Sequence, residues 1–452
     1  MSRLRPPRGF WPRLALIAIG AFALRLVYAL VVMGDHRFTG DAVEFHFLAR
    51  DLARTQSYVE PFAGLVDPRL YYGLPPGAAR HAAAIPTAEK PPLYPAYLAV
   101  WAKLGLSSFR WDMVASSLLG TGTVATIGAL ARRVAGDRVG LAAAALAAVY
   151  PGLVVLDGAV RSESLYVLVV AVALLLAYRL VEAPSLRRAA ALGVATGLAA
   201  LTRSEGLLLL LLLALPAVWL ARPRAGGRLR LVALVAAGCA LVVVPWLARN
   251  WIVFDRPTPI STNQGGLLAG ANCGAAYHGP FIGTWACFPQ PPRSWGRNES
   301  VISGRLQRRA LRYAGDHAGR VPVVAGVRLL RTWELWDPRD HAGFEAAFND
   351  RDPKVNRAAQ ISLYLLVLLA AAGAVTLRRR GRSLRLLLAL PLLVSVVAVL
   401  SYGSSRFRAA AEVSVVILAA VTLEAAVPVA LESLRDGRAR DRVRLVRRRP
   451  AA

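Results

Sequence analysis

The sequence of 452 residues is 56% apolar, with a mean hydropathy of +0.45, yet 55 lysines and arginines against 27 acids give it a formal charge of +28. In a water-soluble domain that balance would point to nucleic acid. So much apolar surface cannot be hidden in water, which excludes nucleic acid as the partner and defines a polytopic membrane protein.

A bilayer core asks for roughly 20 apolar residues per helix. On that measure the chain reads as ten membrane spans, at about 13–33, 109–131, 138–156, 163–181, 187–202, 205–221, 229–247, 357–377, 383–400 and 409–431. The first span is no cleavable signal peptide, because Arg25 interrupts it and no small-residue cleavage site follows. A loop over 34–108 comes next and should hold a short helix from Asp41 to Thr55, with Phe45, Leu48 and Leu52 on one stripe. Spans two to seven occupy 109–247, and the run of leucines from Leu207 to Leu213 lies among them. A second long loop, 248–356, ends in an amphipathic helix from Glu299 to Ala318. Spans eight to ten fill 357–431, and a basic tail covers 432–452.

Arginine clusters set the orientation. Arg3, Arg5, Arg8 and Arg13, then Arg132, Arg133 and Arg138, Arg179, Arg187 and Arg188, Arg222, Arg224, Arg228 and Arg230, Arg378 to Arg380 and Arg447 to Arg449 all fall on one side of a ten-span chain. That side is read as cytoplasmic, with both termini on it, in a plasma (inner) membrane. The two long loops are then extracytoplasmic, and long ordered loops commonly carry function. Cys273 and Cys287 share the second loop, where an oxidising compartment predicts a disulfide between them. Their spacing does not suit zinc. Asn298-Glu299-Ser300 reads as the cap of the helix after it rather than as a glycosylation site.

Every short outer turn carries ionisable residues of mixed sign: Asp41 and Glu44, Asp157 and Glu163, Arg203 and Glu205, Arg249, Arg406 and Arg408. Together they predict an outward-facing cavity at the lipid–water boundary. Such a cavity suits a substrate with a lipid tail and a phosphate head, held by Arg or Lys, with a carboxylate as general base. Each residue also has a plainer reading. Asp41 could cap a helix, Glu163 could answer a helix dipole, Arg203 and Glu205 could simply pair, and Arg25 could snorkel. His46 and His341 are minor cavity-lining candidates.

The chain resembles the GT-C glycosyltransferases of family 39, the dolichyl-phosphate-mannose–protein mannosyltransferases and bacterial aminoarabinose transferases. The resemblance rests on Gly40-Asp41, Glu89-Lys90-Pro91-Pro92-Leu93-Tyr94-Pro95, Ser162-Glu163-Ser164-Leu165, Gly197 to Gly206, Pro245 to Asn250, Gly270 to Cys273 and Ser405-Arg406-Phe407-Arg408. It implies an all-α GT-C membrane enzyme with two long extracytoplasmic loops. Such an enzyme is an inverting transferase that moves a sugar from a polyprenyl-phosphate donor to a hydroxyl on protein, lipid or cell-wall polysaccharide. Asp41 would be the catalytic base and Glu163 the second acid, with Asp157 as its rival. Lys90, with Glu89 beside it, would meet the lipid phosphate; Arg203, Glu205, Arg249 and Arg406 would be further substrate contacts. Divalent-metal use stays open, with Asp41, Glu44 and Asp157 as the ligands to consider. The alternative is a transporter or flippase of lipid-linked saccharide, which should show paired halves and polar groups at mid-membrane.

Overall fold

The computed structural model describes residues 9–61, 85–222, 227–296 and 298–447. Arg3, Arg5, Arg8, Arg224, Arg448 and Arg449 lie outside them. Among the described residues the chain is helical, apart from an isolated bridge between Val59 and Pro86.

Helix α1 (Phe10–Val27) runs into a π-turn at Tyr28–Val32. The first loop holds α2 (Gly40–Thr55), close to the predicted helix, and α3 (Leu93–Lys103), which was not foreseen. Then come α4 (Phe109–Ala135), α5 (Asp137–Val149), α6 (Pro151–Gly158), α7 (Glu163–Glu182), α8 (Leu186–Thr202), α9 (Leu215–Leu220) and α10 (Gly227–Phe254). The second loop carries α11 (Asn263–Ala271), α12 (Gly274–Tyr277), α13 (Glu299–Asp316), α14 (Val321–Thr332) and α15 (Pro338–Phe348). The last three helices are α16 (Pro353–Arg379), α17 (Arg385–Leu400) and α18 (Ser405–Arg447).

Among the described residues six helical segments are individually long and apolar enough to cross a membrane: Phe10–Val32, Phe109–Ala135, Glu163–Glu182, Gly227–Phe254, Pro353–Arg379 and Ser405–Ala426. The segment read as one straight third span is broken. Helices α5 and α6 meet at a 51° bend, where Pro151 supplies no backbone N–H to continue the ladder. Ser204–Leu220 and Arg385–Leu400 are shorter apolar helices.

Close packing between helices comes from small residues, as expected where lipid offers no hydrophobic gain on association. A Cβ on Gly193 of α8 would lie 2.1 Å from the Val235 carbonyl of α10, and one on Gly373 of α16 would lie 1.9 Å from the Leu418 carbonyl of α18. Two helix starts in the second half of the chain carry side-chain caps: Asn298 accepts from the Val301 N–H at 3.2 Å and Asp352 from the Val355 N–H at 2.9 Å. Asn298 thus takes the capping role read for it. Cys273 and Cys287 are joined by a disulfide within the second loop.

The ends of the helices differ in character. Helix α7 begins at Glu163 and ends at Glu182, which pairs with Arg133 near the end of α4. The start of α4 is near α2, through His46 Nδ1 and Asp112 Oδ2 at 2.5 Å. Arg380, just past α16, meets Glu424 of α18. One end of the bundle therefore gathers arginines in exposed pairs, and the other receives the two long loops.

Candidate active site

The loop-bearing end brings together residues from five distant parts of the chain. Asp41 sits in the first turn of α2, where the helix dipole favours a carboxylate. The residue before the helix is Thr39, and Asp41 makes no cap. Its Oδ1 accepts from Lys90 Nζ at 3.0 Å, while Oδ2 accepts from Arg161 at 2.9 Å and from Arg406 at 2.7 Å. Arg406 spans two acids, because its Nε donates to Glu163 Oε1 at 2.6 Å. Arg203 reaches the same Glu163 oxygen at 2.6 Å and Glu205 at 2.5 Å, with its guanidinium over Phe407. Lys90 also lies 2.9 Å from Glu44 and 3.4 Å from Glu89. The result is one continuous ion-pair network, in which the cations and Glu163 are buried while the Asp41 side chain keeps 27% exposure. Glu89 and Glu205, at 39% and 21%, are the other exposed acids, and Asp41 is the exposed acid that three cations surround.

The Lys90 segment is held by the second loop. Thr262 N–H donates to the Ala88 carbonyl and Ala88 N–H to Glu299, both at 2.9 Å, and Ser261 hydroxyl donates to the Glu89 carbonyl. Arg249 donates to the Thr87 and Tyr58 carbonyls at 2.7 Å each, with its guanidinium over Trp246. It braces the segment that presents Lys90.

Burial pushes the Asp41 carboxyl up, but Lys90, Arg406 and Arg161 outweigh it and hold the group well below the usual carboxylate range. Burial, followed by the Glu89 charge, drives Glu44 well above its ordinary value against the pull of Lys90. Burial alone would lower Lys90; Asp41, Glu44 and Glu89 raise it well above the usual lysine range.

Other candidates lie elsewhere. Asp157 is fully engaged inside the bundle with Arg25, whose Nε is 2.7 Å from its Oδ2 and whose other nitrogens donate to the Ala21, Ala147 and Ala148 carbonyls. Helix α6 turns it toward α1, away from Asp41, so it is no rival to Glu163. Arg408 pairs with Glu412 at 2.9 Å and Glu334 at 3.4 Å. His46 is engaged by Asp112, and His341 lies 3.2 Å from Arg331. Among the described residues no three His, Cys, Asp or Glu are grouped to hold a metal. Asp41 and Glu44 share the Lys90 ammonium and Asp157 is remote, so these three do not fit a divalent ion.

Two residues of the site were not singled out in the sequence. Arg161 follows α6 and bridges Asp41 to Asp350, which lies beyond α15. Arg161 was legible in principle as one more cation in an outer turn, directly before Ser162-Glu163. Asp350 carried no such signal. A cavity of about 520 Å³ opens beside this pair, with Val31, Met33, His36, Ala347 and Arg351 in its wall.

The chain is an all-helical membrane bundle whose long loops fold over a cation–carboxylate site at one end. Residues 89–248, about a third of the chain, match the family described as dolichyl-phosphate-mannose-protein mannosyltransferase. The apo oligosaccharyltransferase of Archaeoglobus fulgidus superposes with a TM-score of 0.55 at 12% identity, over 96% of this chain and 52% of that one. The same organism's AglB, solved with an inhibitory peptide and a dolichol-phosphate, gives 0.51 at 14% identity over 94% and 52%. ArnT from Cupriavidus metallidurans, bound to undecaprenyl phosphate, gives 0.41 at 17% identity over 91% and 77%. The chain thus spans about half the length of the archaeal oligosaccharyltransferases, and at these identities the shared property is the fold. No curated protein matches the sequence significantly.

Proposed function

We propose that the protein is an inverting glycosyltransferase that moves a sugar from a polyprenyl-phosphate donor to an acceptor hydroxyl, at the outer face of a plasma membrane. The observation that carries this reading is the open carboxylate of Asp41 ringed by Lys90, Arg161 and Arg406. Support also comes from the family match over residues 89–248 and from the concentration of exposed arginine pairs at the opposite end of the bundle, which favours a cytoplasmic placement for that end.

In this reading the acceptor oxygen attacks the anomeric carbon as the bond from that carbon to the phosphate oxygen breaks. The hydroxyl proton passes to Asp41, and a single displacement inverts the configuration. Polyprenyl phosphate leaves with the bonding electron pair, and Arg406, Arg161 and Lys90 stabilise the charge it gains. In the resting site these cations make Asp41 a weak base. As the glycosidic bond breaks, the phosphate gains charge and draws them away, and the carboxylate gains basicity where the proton must be taken. Arg203 and Glu163 hold Arg406 between the two acids.

The test is reconstitution of the purified protein with a panel of radiolabelled polyprenyl-phosphate hexoses and pentoses, comparing wild type with Asp41→Asn. Transfer by wild type and a loss of at least about 100-fold in the variant are expected. Full activity in Asp41→Asn would remove the base, and movement of intact donor across the bilayer without transfer would remove the enzyme.

A further inference from the structure

Asp350 uses both of its oxygens to join parts of the chain that sequence keeps far apart. Its Oδ1 accepts from the Thr39 N–H and the Thr39 hydroxyl, each at 3.0 Å, and lies 3.3 Å from His36 Nε2. Its Oδ2 accepts from Arg161 at 3.0 Å. Thr39 is the residue just before α2, two positions before Asp41. Arg161 also donates to the Phe348 carbonyl at 3.0 Å, leaving its remaining terminal nitrogen for Asp41.

The backbone at Asp350 has φ +52°, a left-handed conformation uncommon for a residue with a side chain. Its neighbours are equally committed. Asn349 donates to Glu345 at 3.2 Å, and Glu345 accepts from Ser404 hydroxyl and Ser405 N–H at 2.9 Å each. Arg351 donates to Ser405 hydroxyl at 3.0 Å. The residues on either side of Asp350 thus clamp the start of α18 just before Arg406. A strained turn whose side chains are tied to two distant segments is costly unless it fixes a geometry.

Resting on the reading of Asp41 as the reacting carboxylate, we propose that Asp350 is a positioning residue: it sets the start of α2 and the fork of Arg161 together, and so fixes Asp41 against its cation. Asp350 touches neither acceptor nor donor. Its carboxylate shares Arg161 with Asp41, so one guanidinium stands between two acids. An amide in its place can accept on one side only and must lose either Thr39 or Arg161. Its charge is also gone, which leaves Arg161 a stronger partner for a phosphate.

The experiment measures two quantities on Asp350→Asn in detergent: binding of undecaprenyl phosphate, and turnover with the donor from the radiolabelled panel that wild type uses. Turnover at saturating donor should fall roughly 10- to 100-fold, the scale of a misplaced reacting group. Affinity for undecaprenyl phosphate should stay level or tighten, up to about fivefold, because a negative charge has left the phosphate's surroundings. A misfolded variant would lose both. In an Arg161→Lys background, Asp350→Asn should cost less than about threefold more, because the group it orients has already been changed. Unchanged turnover, a parallel loss of binding and turnover, or full additivity with Arg161→Lys would overturn the inference. A wild type that transfers from no donor in the panel would refute the reading of the site, and this inference with it.

Discussion

Arg406 is where fork geometry separates from charge, and Arg406→Lys tests it. Its guanidinium joins Glu163 through Nε at 2.6 Å and Asp41 through a terminal nitrogen at 2.7 Å. A lysine keeps the charge but presents one compact ammonium on a flexible stem, which cannot reproduce the fork. At least one charge-assisted hydrogen bond is lost, worth about 1.5–3 kcal/mol. If the fork holds Asp41 in register and meets the departing phosphate, that energy belongs to the transition state. At about 1.4 kcal/mol per decade, kcat/KM for the donor should fall roughly 10- to 150-fold. Arg406→Gln should fall further, because Glu163 then keeps only Arg203 and Asp41 only Lys90 and Arg161. The assay is steady-state transfer from the radiolabelled donor, with thermal unfolding recorded alongside. An Arg406→Lys enzyme within threefold of wild type would show that charge alone suffices and would refute the argument from the fork.

Glu44 makes a prediction about pH. Its carboxyl is raised by burial and by Glu89 above the ordinary glutamate value of 4.5, so between 4.5 and its folded value the native state binds more protons than the unfolded state. Stability therefore falls as pH rises through that window, and Glu44→Gln should flatten that part of a melting-temperature profile; parallel wild-type and variant curves would refute it. Inside the bundle, Arg25→Leu strands Asp157 and should cost about 3–5 kcal/mol in unfolding experiments, with at least half recovered by adding Asp157→Asn. Transfer per folded molecule should stay near wild type, and a single variant as stable as wild type would show that the pair is not needed. Gly120→Ala should act like Arg25→Leu, since its Cβ would fall 1.9 Å from Asp157 Oδ2.

Hydropathy and arginine placement made the long helices legible, because those signals are local and each helix carries its own. Helix α2 could likewise be read from the stripe of Phe45, Leu48 and Leu52, since Phe45 and Leu48 face the core. Helices α14 and α15 could not: they are short, and their chain neighbours do not state which loop they will cover. The bend between α5 and α6 lay hidden behind uniform hydropathy, although Pro151 marked its position. The site was legible where a turn advertises charge, as with Asp41, Lys90, Glu163, Arg203 and Arg406. Direction was not. Asp157 and Glu163 are six positions apart, yet one faces Arg25 and the other Arg406. Arg249, read as a substrate contact, also satisfies two backbone carbonyls. Asp350 meets its partners across separations of 311 and 189 residues, which no local pattern encodes.

The balance of charge in the network bears on the proposed reaction. Lys90, Arg161, Arg203 and Arg406 face Asp41, Glu44, Glu89, Glu163, Glu205 and Asp350, four cations against six acids. A site built only to hold phosphate would leave its arginines free. Here each one is already satisfied, so a phosphodiester donor with a single negative charge gains little by displacing a carboxylate. As the glycosidic bond breaks, the phosphate gains charge and competes better for the same cations. Binding energy is thus released late, in the transition state rather than on arrival, which is the condition for raising kcat. The same carboxylates then compete for the cations again and help the departing polyprenyl phosphate to leave.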